Sequence, residues 1–188
     1  MLGEQNIGWI AQKIFLAIKK EEIMSIETYH MAVSLINRYP LLGRFVGPRS
    51  ELLIQAAEKT IGITFPNTYR RFLLEYGAGN FGSSEIYGII DEDFMNSGIP
   101  DSVWYTMKLR SDFSLPNHLF VIHDVGNGEM VGLNFAKIAN DETPVVVFTF
   151  ESILQKDVLE QVAIDFGDFF LELVELQIKN QDKRNLRI

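Results

Sequence analysis

The stretch Ile61-Gly62-Ile63-Thr64-Phe65-Pro66-Asn67-Thr68-Tyr69-Arg70-Arg71-Phe72-Leu73-Leu74-Glu75-Tyr76-Gly77-Ala78-Gly79 holds three helix boundaries and a change of period. Gly62 closes a preceding helix, because glycine takes the left-handed conformation at a helix end without a Cβ penalty. Pro66 suits the first turn of a new helix, where its missing N–H is not needed. Tyr69, Phe72, Leu73 and Tyr76 then fall at i, i+3, i+4 and i+7, one apolar stripe that a neighbouring layer must cover. Gly77 stops this helix, and beyond it the pattern becomes short runs of β-branched and aromatic residues.

Upstream, Ser25 can cap a helix with Ile26, Tyr29, Val33 and Ile36 on one face and Pro40 just past its end. The link Gly43 to Pro48 leads to Ser50, which can cap a second helix carrying Ile54, Ala57 and Ile61. Downstream, Ile86 to Ile90, Leu119 to His123, Met130 to Phe135 and Val145 to Phe150 read as strands, and Gly126-Asn127-Gly128 is the turn of a hairpin. Asp101 or Ser102 caps a short helix with Val103, Trp104 and Met107 between the first two strands. Phe166, Phe169, Phe170, Leu173 and Val174 form an apolar helical face to lay on the sheet, with Asp165 as cap, and the polar composition after Lys179 predicts fraying. Helices first, then consecutive strands, then a closing helix predict an α+β fold: a mainly antiparallel sheet of about four to six strands packed against helices.

At 188 residues with 47% hydrophobic content, one domain can build its own core. Cysteine is absent, so a disulfide framework and a thiolate zinc site are both excluded, and a cytoplasmic location is expected. The apolar stretch Ile7 to Ile18 is interrupted by Gln12 and Lys13 and is too short to span a bilayer, so no membrane role is expected. The net charge is −8; residues 1–50 carry six Lys/Arg against four Glu, which leaves −10 on residues 51–188. That balance argues against a phosphate-neutralising surface for nucleic acid and favours a basic protein partner.

The chemical motifs fail on context. Gly77-Ala78-Gly79-Asn80-Phe81-Gly82 has dinucleotide-fingerprint spacing, but it follows a helix and leads into a strand, the reverse of what pyrophosphate binding requires. His123 and Asp124 are adjacent on a strand and point to opposite faces, so they do not make a base and its orienting carboxylate. His30, His118 and His123 lack metal-ligand spacing, and Asp91-Glu92-Asp93 lacks the glycine and distal glutamate of a calcium loop. No catalytic residue, metal or cofactor is expected. The same acidic loop, with Phe94, Trp104 and Tyr105 close in sequence, has the composition of a protein-binding hot spot, although Trp104 reads equally well as core.

The stretch 61–79 resembles the signature of the SUKH superfamily, a Leu-Gly-x-x-Leu-Pro-x-x-Tyr-x-x-Phe-Leu pattern before a glycine-rich turn. Ile61 and Phe65 stand where leucines are commoner. Leu119 to Glu129 is similar to the family's second strand and its turn, and Pro144 to Phe150 and Phe166 to Phe170 resemble its last strand and closing helix. The resemblance covers residues 25–178. It implies a sheet flanked by helices and a non-enzymatic immunity protein that neutralises a bacterial toxin, often a nuclease; the alternative is a regulatory adaptor of the kind found in cell-wall signalling, and third an unrecognised hydrolase.

On composition and placement, the expected contacts to a basic toxin are Glu85, Tyr87, Asp91, Glu92, Asp93, Trp104 and Tyr105, with Asp124 and Glu129 as outlying choices. The organisation read from the sequence is an extension over 1–23, the domain over 24–180 and a polar tail over 181–188. Lys20-Glu21-Glu22-Ile23 is encodable as a purine-rich ribosome-binding sequence, which makes Met24 a candidate start and 1–23 a stretch outside the native protein.

Overall fold

The computed structural model describes residues 25–155 and 159–185; the readings of 1–23, Met24 and the last three residues lie outside that range. A helix over 25–38 (α1) is followed by β1 (Gly43–Phe45), α2 (Glu51–Ile61), α3 (Asn67–Glu75), β2 (Gly79–Phe81) and β3 (Ser84–Ile86). Then come α4 (Ser102–Phe113), β4 (Leu119–Asp124), β5 (Met130–Asn134), β6 (Val145–Phe148), α5 (Phe150–Gln155), β7 (Glu160–Ala163) and α6 (Phe166–Asn185). The architecture is α+β with two antiparallel sheets, ordered β1-β2-β3 and β4-β5-β6-β7.

The helix boundaries follow local chemistry. Ser50 accepts from the Leu53 N–H at 3.2 Å, and Gly62 ends α2 in the left-handed conformation at φ 77°. Pro66 occupies the capping position of α3 rather than its first turn, and it offers no side-chain acceptor. The acceptor comes from far along the chain: Glu142 takes the Thr68 N–H and the Thr68 hydroxyl, each at 2.8 Å. Asp101 caps α4 through the Trp104 N–H, and Asp165 caps α6 through the Asp168 N–H, both at 2.9 Å. Beyond Lys179 the helix continues to Asn185 instead of fraying, with Lys183 and Arg184 in its last turn complementing the dipole.

The stripe on α3 meets the apolar face of α6 and the inner face of the larger sheet. Tyr69 lies 5.0 Å from Phe166 and 5.8 Å from Phe120, and Phe72 lies 5.4 Å from Phe170, all between ring centroids. Tilted and edge-on aromatic pairs at such distances add stabilisation beyond their buried area. The opposite face of the sheet is covered by α4, with Leu109 packed among Val121, Met130, Val146 and Phe148. Gly126 and Gly128, at φ 86° and 93°, make the expected hairpin turn between β4 and β5.

Three differences from the sequence expectation have local causes. The first strand stops at Ile86, where its ladder with β2 ends and the chain changes partner, Tyr87 donating to Ile122 and Gly88 to Pro100. The segment Gly79–Phe81 is itself the central strand of the smaller sheet, not only a turn. Finally, β1, β7 and α5 carry too little periodicity to announce themselves: β7 reads Glu160-Gln161-Val162-Ala163, with three of its four residues exposed on an edge strand.

Candidate functional site

The segment 87–104 is folded back on itself by backbone pairing. Gly88 donates to Pro100, Ser102 donates to Gly88, and the buried Asp101 side chain accepts from the Ile90 N–H at 3.1 Å as well as from Trp104. Burial pushes the Asp101 carboxyl above its ordinary value, and the backbone donors that hold its charged form pull it back. The result is a fixed base under Asp91, Glu92 and Asp93, all of which are exposed. Asp93 turns inward on its own loop and accepts from the Asn96 side chain and from the Asn96 N–H at 3.1 Å, which holds it below the usual carboxylate range. Phe94 is buried and anchors the loop to the core.

At the start of α4, Trp104 and Tyr105 are half-buried with their rings 6.2 Å apart and nearly parallel. The Tyr105 hydroxyl donates to Asp124 at 3.3 Å. Burial first, and the Asp124 charge second, push the Tyr105 phenol up. Tyr87 meets Tyr105 edge-on at 5.6 Å, but it is only 2% exposed, and its phenol is pushed up by burial ahead of the charges of Asp124 and Glu85. As a direct contact Tyr87 is therefore corrected to a support for Tyr105, because α4 and the β4 carbonyl of Ile122, which takes the Tyr87 N–H, enclose it. Glu85 is exposed on β3, just before this segment.

His123 and Asp124 do diverge. The His123 ring faces α6, 6.1 Å from Phe169, with Nδ1 2.6 Å from the Glu85 carbonyl, whereas Asp124 faces α4. Among the described residues, no group of three His, Asp or Glu side chains is arranged to hold a metal, and no helix is long and apolar enough to cross a membrane.

One concavity lies where the sequence placed no site. It is an open groove of about 770 Å³ between α6 and the inner face of β4–β7. Phe169, Leu173 and Leu176 form its helix wall, and Val131, Val147 and Val162 its sheet wall. Glu129, an outlying choice from the sequence, lies on the rim with Glu160, Glu172, Glu175 and Lys179. The one signal in the sequence was the interleaving of Glu172, Glu175 and Leu176 along a helix whose core face was already complete at Val174.

A protein of known structure from Pseudomonas syringae pv. tomato superposes with a TM-score of 0.46 at 16% identity, over 62% of this chain and 83% of that one. No curated protein matches. The family model for SMI1-KNR4 cell-wall proteins, within SUKH, matches residues 51–170, which span α2, the helix-to-sheet core and the start of α6. The chain belongs to the SMI1-KNR4 cell-wall family.

Proposed function

We propose that this chain is a non-enzymatic immunity protein that binds and neutralises a cognate bacterial toxin, a basic protein such as a nuclease, in the cytoplasm. Family membership supports a protein-binding domain of the immunity or SMI1-KNR4 type. The observation that carries the finer reading is the exposed Asp91-Glu92-Asp93 loop, pinned through Ile90 to Asp101 at the head of α4, where Trp104 and Tyr105 stack. A rigid acidic loop beside half-buried aromatic rings offers long-range attraction to a cationic cleft together with desolvatable anchors. Asp124 serves as the hydrogen-bond partner that orients Tyr105.

An interface of this kind buries about 1,600 Å² in total, with the aromatic anchors governing dissociation and the carboxylates governing encounter. The test is co-expression with the toxin gene encoded beside this one, with binding kinetics measured on the purified pair. Replacing Asp91, Glu92 and Asp93 by Asn, Gln and Asn slows association and flattens its salt dependence, because exposed charges act over about a Debye length of 8–10 Å. Trp104→Ala quickens dissociation while circular dichroism stays native. Equal protection by the wild type and both variants removes this face as the binding site. No protection even by the wild type turns the reading to a regulatory adaptor with an endogenous partner.

A further inference from the structure

We infer that the groove between α6 and the β4–β7 sheet seats an amphipathic helix of the protein partner, apolar on the face that enters and carrying lysine or arginine on both flanks. This rests on the reading of the chain as a protein-binding domain and adds a second contact surface to it.

The apolar floor comes from the way α6 is fastened. Its first turns are held by Phe166 and Phe170 among the rings of α3. Further on, the buried Gln177 side chain accepts from the Ser83 N–H at 3.1 Å and donates to the Ser84 hydroxyl at 2.8 Å, which fastens the helix to the β2–β3 turn. Drawn toward the smaller sheet, α6 leaves β6 and β7 partly uncovered. Val162 is 38% exposed, Val125 46% and Leu176 54%, on walls that face each other. A sheet face and a helix stripe ordinarily bury such surface against one another, so this much apolar wall on both sides marks room for an inserted element.

The charges select what enters. Glu172 and Glu175 stand on the helix wall, and Glu129 and Glu160 on the sheet side. Among the described residues, the groove's cation, Lys179, pairs with Glu175, at 3.6 Å and with its own side chain 69% exposed, a geometry that neutralises little. Among the described residues, Glu160 and Glu172 have no ion-pair partner. Two carboxylate rims flanking an apolar floor repel an acidic segment and disfavour a second copy of a chain whose net charge is −8. Phe169, Leu173 and Leu176 lie four and seven residues apart, about 10 Å of helix axis. The wall matches in length the two turns over which a docked amphipathic helix presents its anchors at i, i+3, i+4 and i+7.

The probe is a fluorescent leucine–lysine peptide of about 18 residues with leucines at i, i+3, i+4 and i+7, long enough to hold a helix, titrated by anisotropy against the full chain. It binds with micromolar affinity. Leu176→Asp, or Glu160→Gln together with Glu172→Gln, weakens it about tenfold without moving the melting temperature. Glu151→Gln, on the exposed face of α5, has no effect, and a leucine–glutamate peptide binds at least tenfold more weakly. Equal binding of the two peptides, or binding insensitive to both groove variants, overturns the inference. So does sedimentation of the wild type as a dimer that Leu176→Asp dissolves. A tenfold gain in affinity on Ile10→Asp with Ile14→Asp also overturns it, by placing the chain's own N-terminal segment in the groove. Groove-dependent peptide binding without protection in cells retains the groove and removes the immunity function. Protection without groove-dependent binding does the reverse.

Discussion

Replacing Glu142 by Gln should make the protein's stability far less dependent on pH between 5 and 8. Glu142 is 8% exposed and caps α3 across 74 residues of chain through two bonds to Thr68. Burial raises its carboxyl from 4.5 to about 7, the Thr68 donors oppose the rise, and the charge of Asp165 adds to it. A folded-state value above the unfolded one means that the native state holds the proton more tightly. The associated stability is complete below about pH 4.5 and is lost as pH rises through about 7. At 1.36 kcal/mol per unit, it amounts to about 3 kcal/mol at its fullest, most of which is lost between pH 5 and 8. Glutamine keeps an oxygen for the Thr68 N–H and carries no charge at any of these values. Urea unfolding, followed by tryptophan fluorescence at pH 5, 6, 7 and 8, then gives two curves: the wild type loses ground relative to Glu142→Gln as pH rises, by about 2–3 kcal/mol over the range. Parallel curves would refute the reasoning, since they would mean that Glu142 titrates alike in both states.

Gly88→Ala forces a Cβ to within 1.7 Å of the Gly77 carbonyl oxygen, at a cost of about 3 kcal/mol and a melting temperature lower by about 6–12 °C. Gly77→Val acts in the same direction, because Gly77 stands at φ 73° with the Gly47 carbonyl 2.4 Å from a Cβ position. Titration of the wild type with NAD or ATP gives no saturable signal, and micromolar binding weakened by a change at Gly79 would contradict the structural role of this segment. Asp101→Ala removes acceptors from both Ile90 and Trp104 and costs about 2 kcal/mol. Amide exchange over residues 91–96 accelerates in that variant, and unchanged exchange would show that the acidic loop is fixed by something else.

The core helices were legible because their signals are local. Ser50, Gly62 and Asp165 cap or close helices through atoms within a few residues of themselves, and the stripe on α3 is a matter of spacing alone. The short strands were not. Gly43-Arg44-Phe45 becomes β1 only because Phe45 pairs with Gly79 across the sheet, where a Cβ on Gly79 would lie 2.2 Å from the Arg44 carbonyl oxygen. Glu160-Gln161-Val162-Ala163 becomes β7 because β6 offers it a ladder. Such strands are made by their partners, and three or four residues carry no period of their own.

The candidate site divides along the same line. Composition singled out Asp91, Glu92, Asp93, Trp104 and Tyr105, and the structure leaves the acids exposed and the rings half-buried. Tyr87, chosen on composition and placement, is 2% exposed because this segment lies where β3 abuts β4 and α4 closes the other side. The groove as a whole could not be read from sequence spacing: the interleaving of Glu172, Glu175 and Leu176 marks its helix wall, but Val131, Val147 and Val162 opposite come from three strands that no local pattern joins to it. What joins them is the pull of Gln177 toward Ser83 and Ser84, a polar contact across 93 and 94 residues that decides where a helix ends its contact with a sheet. In a fold whose core is fixed by aromatic packing on α3 and the first turns of α6, and whose outer turns of α6 are held by Gln177, the exposed positions of those outer turns are free to vary in charge. A surface built there can change partner while the residues that hold the fold stay as they are.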